Sequence, residues 1–134
     1  MHLIHLLSAC SGLDIKTYIE NNDKTFSHFK GALAEQFVFQ EITAADDSIP
    51  VYYWAAEKNT AEIEFLLQYN GTIIPLEVKA GKNTKSESLK IYREQFKPLI
   101  TVCASLLEYS SNKNHINIPL YMTGSIKEIL SSKN

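Results

Sequence analysis

The segment from Glu62 to Lys79 constrains this chain more than any other stretch. Asn70-Gly71 at its centre supplies two adjacent residues that tolerate positive φ, as a two-residue type I′ turn requires, and apolar residues alternate on both sides. The turn sets a register in which Tyr69 faces Thr72, Leu67 faces Ile74, Phe65 faces Leu76, Glu64 faces Glu77 and Glu62 faces Lys79. Strand alternation then predicts one apolar face of Ile63, Phe65, Leu67, Ile74, Leu76 and Val78, and an opposite face holding Glu64, Glu77 and Lys79. Opposed carboxylates repel by roughly 0.2–1 kcal/mol, so they need compensation. Lys79, a shared proton, or a hard divalent cation such as Mg²⁺ or Mn²⁺ would each supply it.

Composition narrows what surrounds the hairpin. With 134 residues, 45% hydrophobic and 21% charged, the chain makes one globular domain with a single core. No apolar run reaches transmembrane length, and the opening Met1–Leu7 stretch lacks the cationic lead of a signal peptide, so a cytoplasmic protein with no membrane partner is expected. A net charge of −2 and a pI of about 6.1 exclude affinity built on wholesale phosphate neutralisation. A local patch remains. Lys82, Lys85, Lys90 and Arg93 lie between Lys79 and Lys97, interrupted by Glu87 and Glu94, and read either as a solvated helix face or as a nucleic-acid footprint. Cys10 and Cys103 lack metal or redox spacing and read as buried thiols. His2, His5, His28 and His115 have no partnered ligand set and read as solvated or capping residues. Tyr52, Tyr53 and Trp54 suit core packing better than base stacking.

Periodicity gives the order of elements. Residues 1–26 form a helical lead-in, with short helices near Leu3–Cys10 and over residues 14–20, and residues 27–134 form the main domain. Ser27 caps a helix running to about Ala45 that is apolar almost all round, so it is expected to be buried and Glu35 in its middle sits in a costly place. Val51–Trp54 adds a third antiparallel strand to the hairpin. Thr84 and Glu87 have capping-box spacing for a second helix with a Leu89, Tyr92, Phe96 stripe, which Pro98 ends. Leu99–Ala104 then returns parallel to the strand ending at Lys79. Residues 105–117 read as irregular, Ile118–Met122 as an edge strand because of Pro119, and Ser125–Leu130 as a terminal helix. The fold class predicted is three-layer α/β, a central mixed sheet flanked by helices.

This order, with an acid on the second strand and Glu-x-Lys on the third, resembles the core of the PD-(D/E)xK nuclease superfamily. More specifically, Phe29-Lys30-Gly31-Ala32-Leu33-Ala34-Glu35, Tyr53-Trp54, Ala61–Leu67, Ile74–Gly81 and Ile118-Pro119-Leu120-Tyr121 resemble the C-terminal domain of unknown function (number 4143) carried by many prokaryotic AAA-type ATPases. The resemblance implies a restriction-endonuclease-like fold. It puts Glu64 in the place usually held by aspartate, makes Glu77 and Lys79 the Glu-x-Lys pair, and makes Glu35 the helix acid seen in many superfamily members. The implied chemistry is phosphodiester hydrolysis, with Mg²⁺ or Mn²⁺ on Glu64 and Glu77, Lys79 orienting or deprotonating the nucleophile, and Glu35 positioning the water shell. The alternative is a catalytically inactive module that binds nucleic acid or protein. Related full-length proteins place an ATPase module before this domain, but no Gly-x-x-x-x-Gly-Lys-Ser/Thr loop occurs here. An ATPase partner in cis or in trans is therefore expected, and no ATP site of that kind in this chain.

Overall fold

A computed structural model describes residues 24–58 and 61–133. The expected lead-in helices before residue 24, and Cys10 with them, lie outside the described residues. The elements run α1 (Lys24–Ala45), β1 (Val51–Ala55), β2 (Glu62–Tyr69), β3 (Thr72–Val78), α2 (Glu87–Phe96), β4 (Thr101–Ser105), β5 (Ser110–Ser111), β6 (His115–Pro119), a 3-10 turn (Leu120–Ser125) and α3 (Ile126–Ser131). The strands make one six-stranded mixed sheet in the order β1-β2-β3-β4-β6-β5. β1, β2 and β3 form an antiparallel meander, β4 lies parallel to β3, β6 lies parallel to β4, and β5 pairs antiparallel with β6.

The hairpin has the expected register from Tyr69↔Thr72 to Phe65↔Leu76, and Asn70 and Gly71 both take positive φ. Beyond Phe65 the pattern departs from simple alternation. β1 pairs Tyr52 with Leu66 but Trp54 with Ile63, so β2 carries one extra residue there, a β-bulge. The slip turns Ile63 over. It packs with Leu89 and Tyr92 rather than with Leu67, Leu76 and Val78, contrary to the single apolar face that alternation predicted.

Helices cover both faces. On one, Ala34, Val38 and Ile42 of α1 and Ile126 and Leu130 of α3 close over Leu67, Ile74, Leu76, Val78, Val102, Ala104, Ile116 and Ile118. On the other, α2 packs Leu89 and Tyr92 onto Ile63 and Leu66, and Trp54 meets Tyr92 and Phe96 edge-on at 5.1 and 5.8 Å.

Several local expectations are corrected. α1 begins at Lys24, so Ser27 lies within it rather than at its cap. Only a stripe of α1 is buried, with Ala32 and Phe39 exposed, because one helix face suffices to cover a sheet. The cap of α2 is Ser86, whose hydroxyl accepts the Leu89 N–H, not Thr84; the helix ends with Lys97 in the left-handed region, its N–H on the Arg93 carbonyl, ahead of Pro98. β6 is not an edge strand. Pro119 is tolerated because it is the last residue of β6, and β5 pairs only at Ile116 and Asn117. Tyr52 and Tyr53 are exposed, not core, whereas Trp54 packs inward at the bulge. The 3-10 turn lies on α1, where a Cβ on Gly124 would stand 3.2 Å from Glu41 Oε2. No helix among the described residues is long and apolar enough to cross a membrane.

Candidate active site

Odd-numbered residues of β3 and β4 face α2, and their rows continue across the parallel strands. Glu77 pairs with Cys103 and Cys103 with Asn117, so an acid, a thiol and an amide line up across the sheet. Glu77 is only 2% exposed. Such a carboxylate must be paired or hydrogen-bonded, and it is both: Lys79 Nζ stands 2.5 Å from Oε1, and the Ser86 hydroxyl donates to Oε2. Ser86 therefore ties the α2 N-terminus to the acid while its oxygen also caps the helix.

Glu64 comes to the same corner by a different route. At the bulge the ladder pairing of β2 with β3 stops, and Glu64 Oε2 accepts the Val78 N–H at 3.2 Å, where a strand carbonyl would otherwise serve. Burial pushes its pKa up. The backbone N–H groups of Glu64 and Val78 pull it down, the charges of Glu77 and Glu35 push it up again, and the carboxyl rests at about 7. Lys79 shows the opposite balance. Burial favours its neutral form, but the hydrogen bond to Glu77 and the charges of Glu77 and Glu64 outweigh this and raise its pKa. Lys79 is thus a cation at neutral pH. Glu35, on the middle of α1, has its pKa raised by burial and by Glu62, against the pull of Lys79. Glu62 itself points elsewhere, accepting from the Tyr53 hydroxyl at 2.6 Å.

The structure thus brings Glu64, Glu77 and Lys79 together, with Glu35 within electrostatic reach. Among the described residues no three His, Cys, Asp or Glu side chains form a group able to hold a metal ion unaided. The two-carboxylate set nevertheless suits a hydrated hard cation, which takes one or two protein carboxylates and fills its other positions with water and substrate oxygens. Burial raises the pKa of Glu64 first and the charges of Glu77 and Glu35 add to it, and a cation would stabilise the ionised form.

The basic patch is divided. Lys90 pairs with Glu87 at 3.4 Å, and Lys82 is exposed on the loop before α2. Lys85 and Arg93 share the lining of one cleft. Sequence reasoning misses Thr101 and Asn117 and misreads His115 as solvated or capping. Thr101, His115 and Asn117 alternate with buried apolar residues along β4 and β6, and that period of two in Thr101-Val102-Cys103-Ala104-Ser105 and His115-Ile116-Asn117-Ile118 was the available signal. His115 is not a solvated residue: its Nδ1 meets Arg93 Nη2 at 2.9 Å and Thr101 Oγ1 at 2.8 Å, and burial lowers its pKa. Asn117 Oδ1 accepts from the buried Ser105 hydroxyl at 2.8 Å, and its amide reaches the Glu108 carbonyl at 3.0 Å. Cys103 is buried, its thiol pushed up to about 12 by burial and by Glu77, which makes it a packing group rather than a nucleophile.

No curated protein and no solved structure matches the chain. A family model matches residues 30–122, a span holding Glu35, Glu64, Glu77, Lys79 and the whole sheet, and the chain belongs to the family described as Domain of unknown function (DUF4143).

Proposed function

We propose that this domain is a nuclease-like phosphodiesterase of restriction-endonuclease-like fold, with Glu64, Glu77 and Lys79 as its centre. The observation that carries the reading is the buried Glu77–Lys79 pair beside Glu64, at the corner where an antiparallel hairpin meets a parallel strand. A metal-loaded site would have Mg²⁺ or Mn²⁺ on Glu64 and Glu77, supplying charge stabilisation at phosphoryl oxygens and a more acidic water. Ser86 and Lys79 hold the Glu77 carboxylate in place. Because Lys79 stays protonated, its part is to orient the attacking oxygen and to balance the charge developing on the phosphoryl group, not to remove a proton. Glu64, whose carboxyl burial raises to about 7, would serve as a metal ligand in its ionised form. Glu35 would order water at the edge of the site.

In this reading the domain acts on nucleic acid delivered by an AAA-type ATPase in cis or in trans, and its cleavage alone is slow. The test is incubation with single-stranded, duplex and branched DNA and RNA plus Mn²⁺ at low salt. Metal-dependent cutting by the wild type that disappears in Lys79→Ala is the expected result. If no substrate is cut, and Glu64→Asp also fails to cut, the reading is overturned.

One observation favours a second reading, a binding module without catalysis: both oxygens of Glu77 are already engaged, by Lys79 and Ser86. On that reading nucleic acid or an ATPase partner binds with equal affinity in wild type, Glu77→Ala and Lys79→Ala.

A further inference from the structure

Two clefts of about 430 and 530 Å³ open beside α2 and the ends of β4 and β6, and they share a wall made of Arg93 and Asn114. The first is lined by Lys85, Ser86, Asn112 and His115 among others, the second by Lys97, Thr101 and Lys113. Among the described residues no carboxylate lines either one. In a chain of net charge −2 this is a local excess of positive charge. Among the described residues the ion pairs involve Lys79, Lys90 and Lys127, and Lys85, Arg93, Lys97 and Lys113 pair with no described acid.

Arg93 is also preorganised. Its Nε and Nη2 donate to Thr101 Oγ1 at 3.2 and 2.5 Å, and Nη2 donates to His115 Nδ1 at 2.9 Å. These bonds fix the guanidinium plane on the shared wall and leave Nη1 without an acceptor among the described residues. Because an arginine only donates, His115 Nδ1 must accept, which puts the ring proton on Nε2. His115, which lines the first cleft, therefore carries an N–H donor on Nε2. Donors thus surround two adjoining spaces, joined by a fixed guanidinium, with cations on both sides.

We propose that these paired clefts bind a ligand carrying two adjacent phosphate groups, one in each cleft, bridged by Arg93. The site adjoins the carboxylates through Ser86, which lines the first cleft and donates to Glu77, but it does not depend on the phosphodiesterase reading. Two sources share this chemistry, a free di- or triphosphate and the backbone of a nucleic-acid strand. Tetrahedral phosphate suits the donor set because its oxygens accept from several directions at once, and the two hydrogens of Arg93 Nη1 can each reach one phosphate.

The test uses the full chain at low ionic strength, with calorimetry for affinity and the imidazole and Arg93 Nε–H signals for location. The probes are inorganic phosphate, pyrophosphate and a short oligothymidylate. Pyrophosphate is expected to bind 1:1 and at least about tenfold tighter than phosphate, shifting His115 and Arg93. Arg93→Lys should weaken it about tenfold, Lys85→Ala and Lys113→Ala severalfold each, and Lys30→Ala, on the opposite face, not at all. Lys85 and Lys113 are exposed, so their variants keep the test valid should Arg93→Lys fail to fold. If the oligonucleotide binds at these residues and pyrophosphate does not, the two phosphates belong to a strand, and the log–log salt slope should fall by about 1 per lysine removed. Absence of binding by all probes, or binding indifferent to Lys85→Ala and Lys113→Ala, overturns the proposal.

Discussion

One face of the sheet is lined by apolar side chains, a dry face, and the other largely by buried polar ones. Under α1 and α3, a continuous cluster runs from Leu67 to Ile118 across four strands, and side chains such as Leu76, Val102 and Ile116 are fully buried. Under α2 the apolar cluster is only Ile63, Leu89 and Tyr92 with Trp54 and Leu66 at its margin, and the rest of that face carries Glu77, Cys103, Thr101, Ser105 and Asn117. The same strands serve both faces, since each alternates between them. Stability and chemistry are therefore assigned by residue parity rather than by region. This division is open to test from either side.

The largest effect should come from the dry face. Leu76→Ala leaves a cavity in a site that cannot collapse and should cost about 3–5 kcal/mol in denaturant unfolding, against about 2–3 kcal/mol for Leu89→Ala. Equal costs would erase the distinction between the faces. Next comes a gain rather than a loss. The folded-state pKa of Glu64 is raised from about 4.5 to about 7, so ionising it opposes folding, and stability falls as pH rises through that window. Glu64→Gln keeps an acceptor for the Val78 N–H and should stabilise the domain by about 2–3 kcal/mol at pH 8, with no difference at pH 4. A pH-independent effect would mean that burial and the neighbouring carboxylates do not hold the Glu64 carboxyl above its ordinary range. Ser86→Ala removes the cap of α2 and should cost about 1 kcal/mol, visible as a lower unfolding midpoint. It should also loosen Glu77, so Mg²⁺-dependent amide shifts near β3 should change in position as well as size. The smallest effect belongs to the exposed Lys90–Glu87 pair, where Lys90→Ala should shift stability by less than about 0.5 kcal/mol.

The hairpin was legible because its turn chemistry is local: Asn70-Gly71 admits few alternatives, and from it followed the register and the meeting of Glu77 with Lys79. The parallel return of β4 was legible too, because a helix between two strands leaves little choice. What escaped depends on partners distant in sequence. The bulge answers to β1, not to anything within Glu62–Tyr69, so the turning over of Ile63 could not be read from its own strand. The central place of β6 depends on two residues at Ser110–Ser111 too short to signal a strand. Glu77 drew attention as a charge beside Lys79, but Ser86, which holds its other oxygen, looked only like part of a capping region.

The 3-10 turn at Leu120–Ser125 sets a timetable for synthesis. α1 emerges from the ribosome early, yet the surface it rests on includes that turn and Ile126 and Leu130, which come near the end of the described chain. Until they arrive, the Ala34, Val38, Ile42 stripe has only an incomplete seat, because β6 and α3 are missing from the sheet and its cover. Contacts of such long sequence separation are made last and slowly. The nascent domain therefore presents an uncovered apolar stripe through most of its own translation, a span in which a chaperone or a neighbouring module meets a surface that the finished protein never shows.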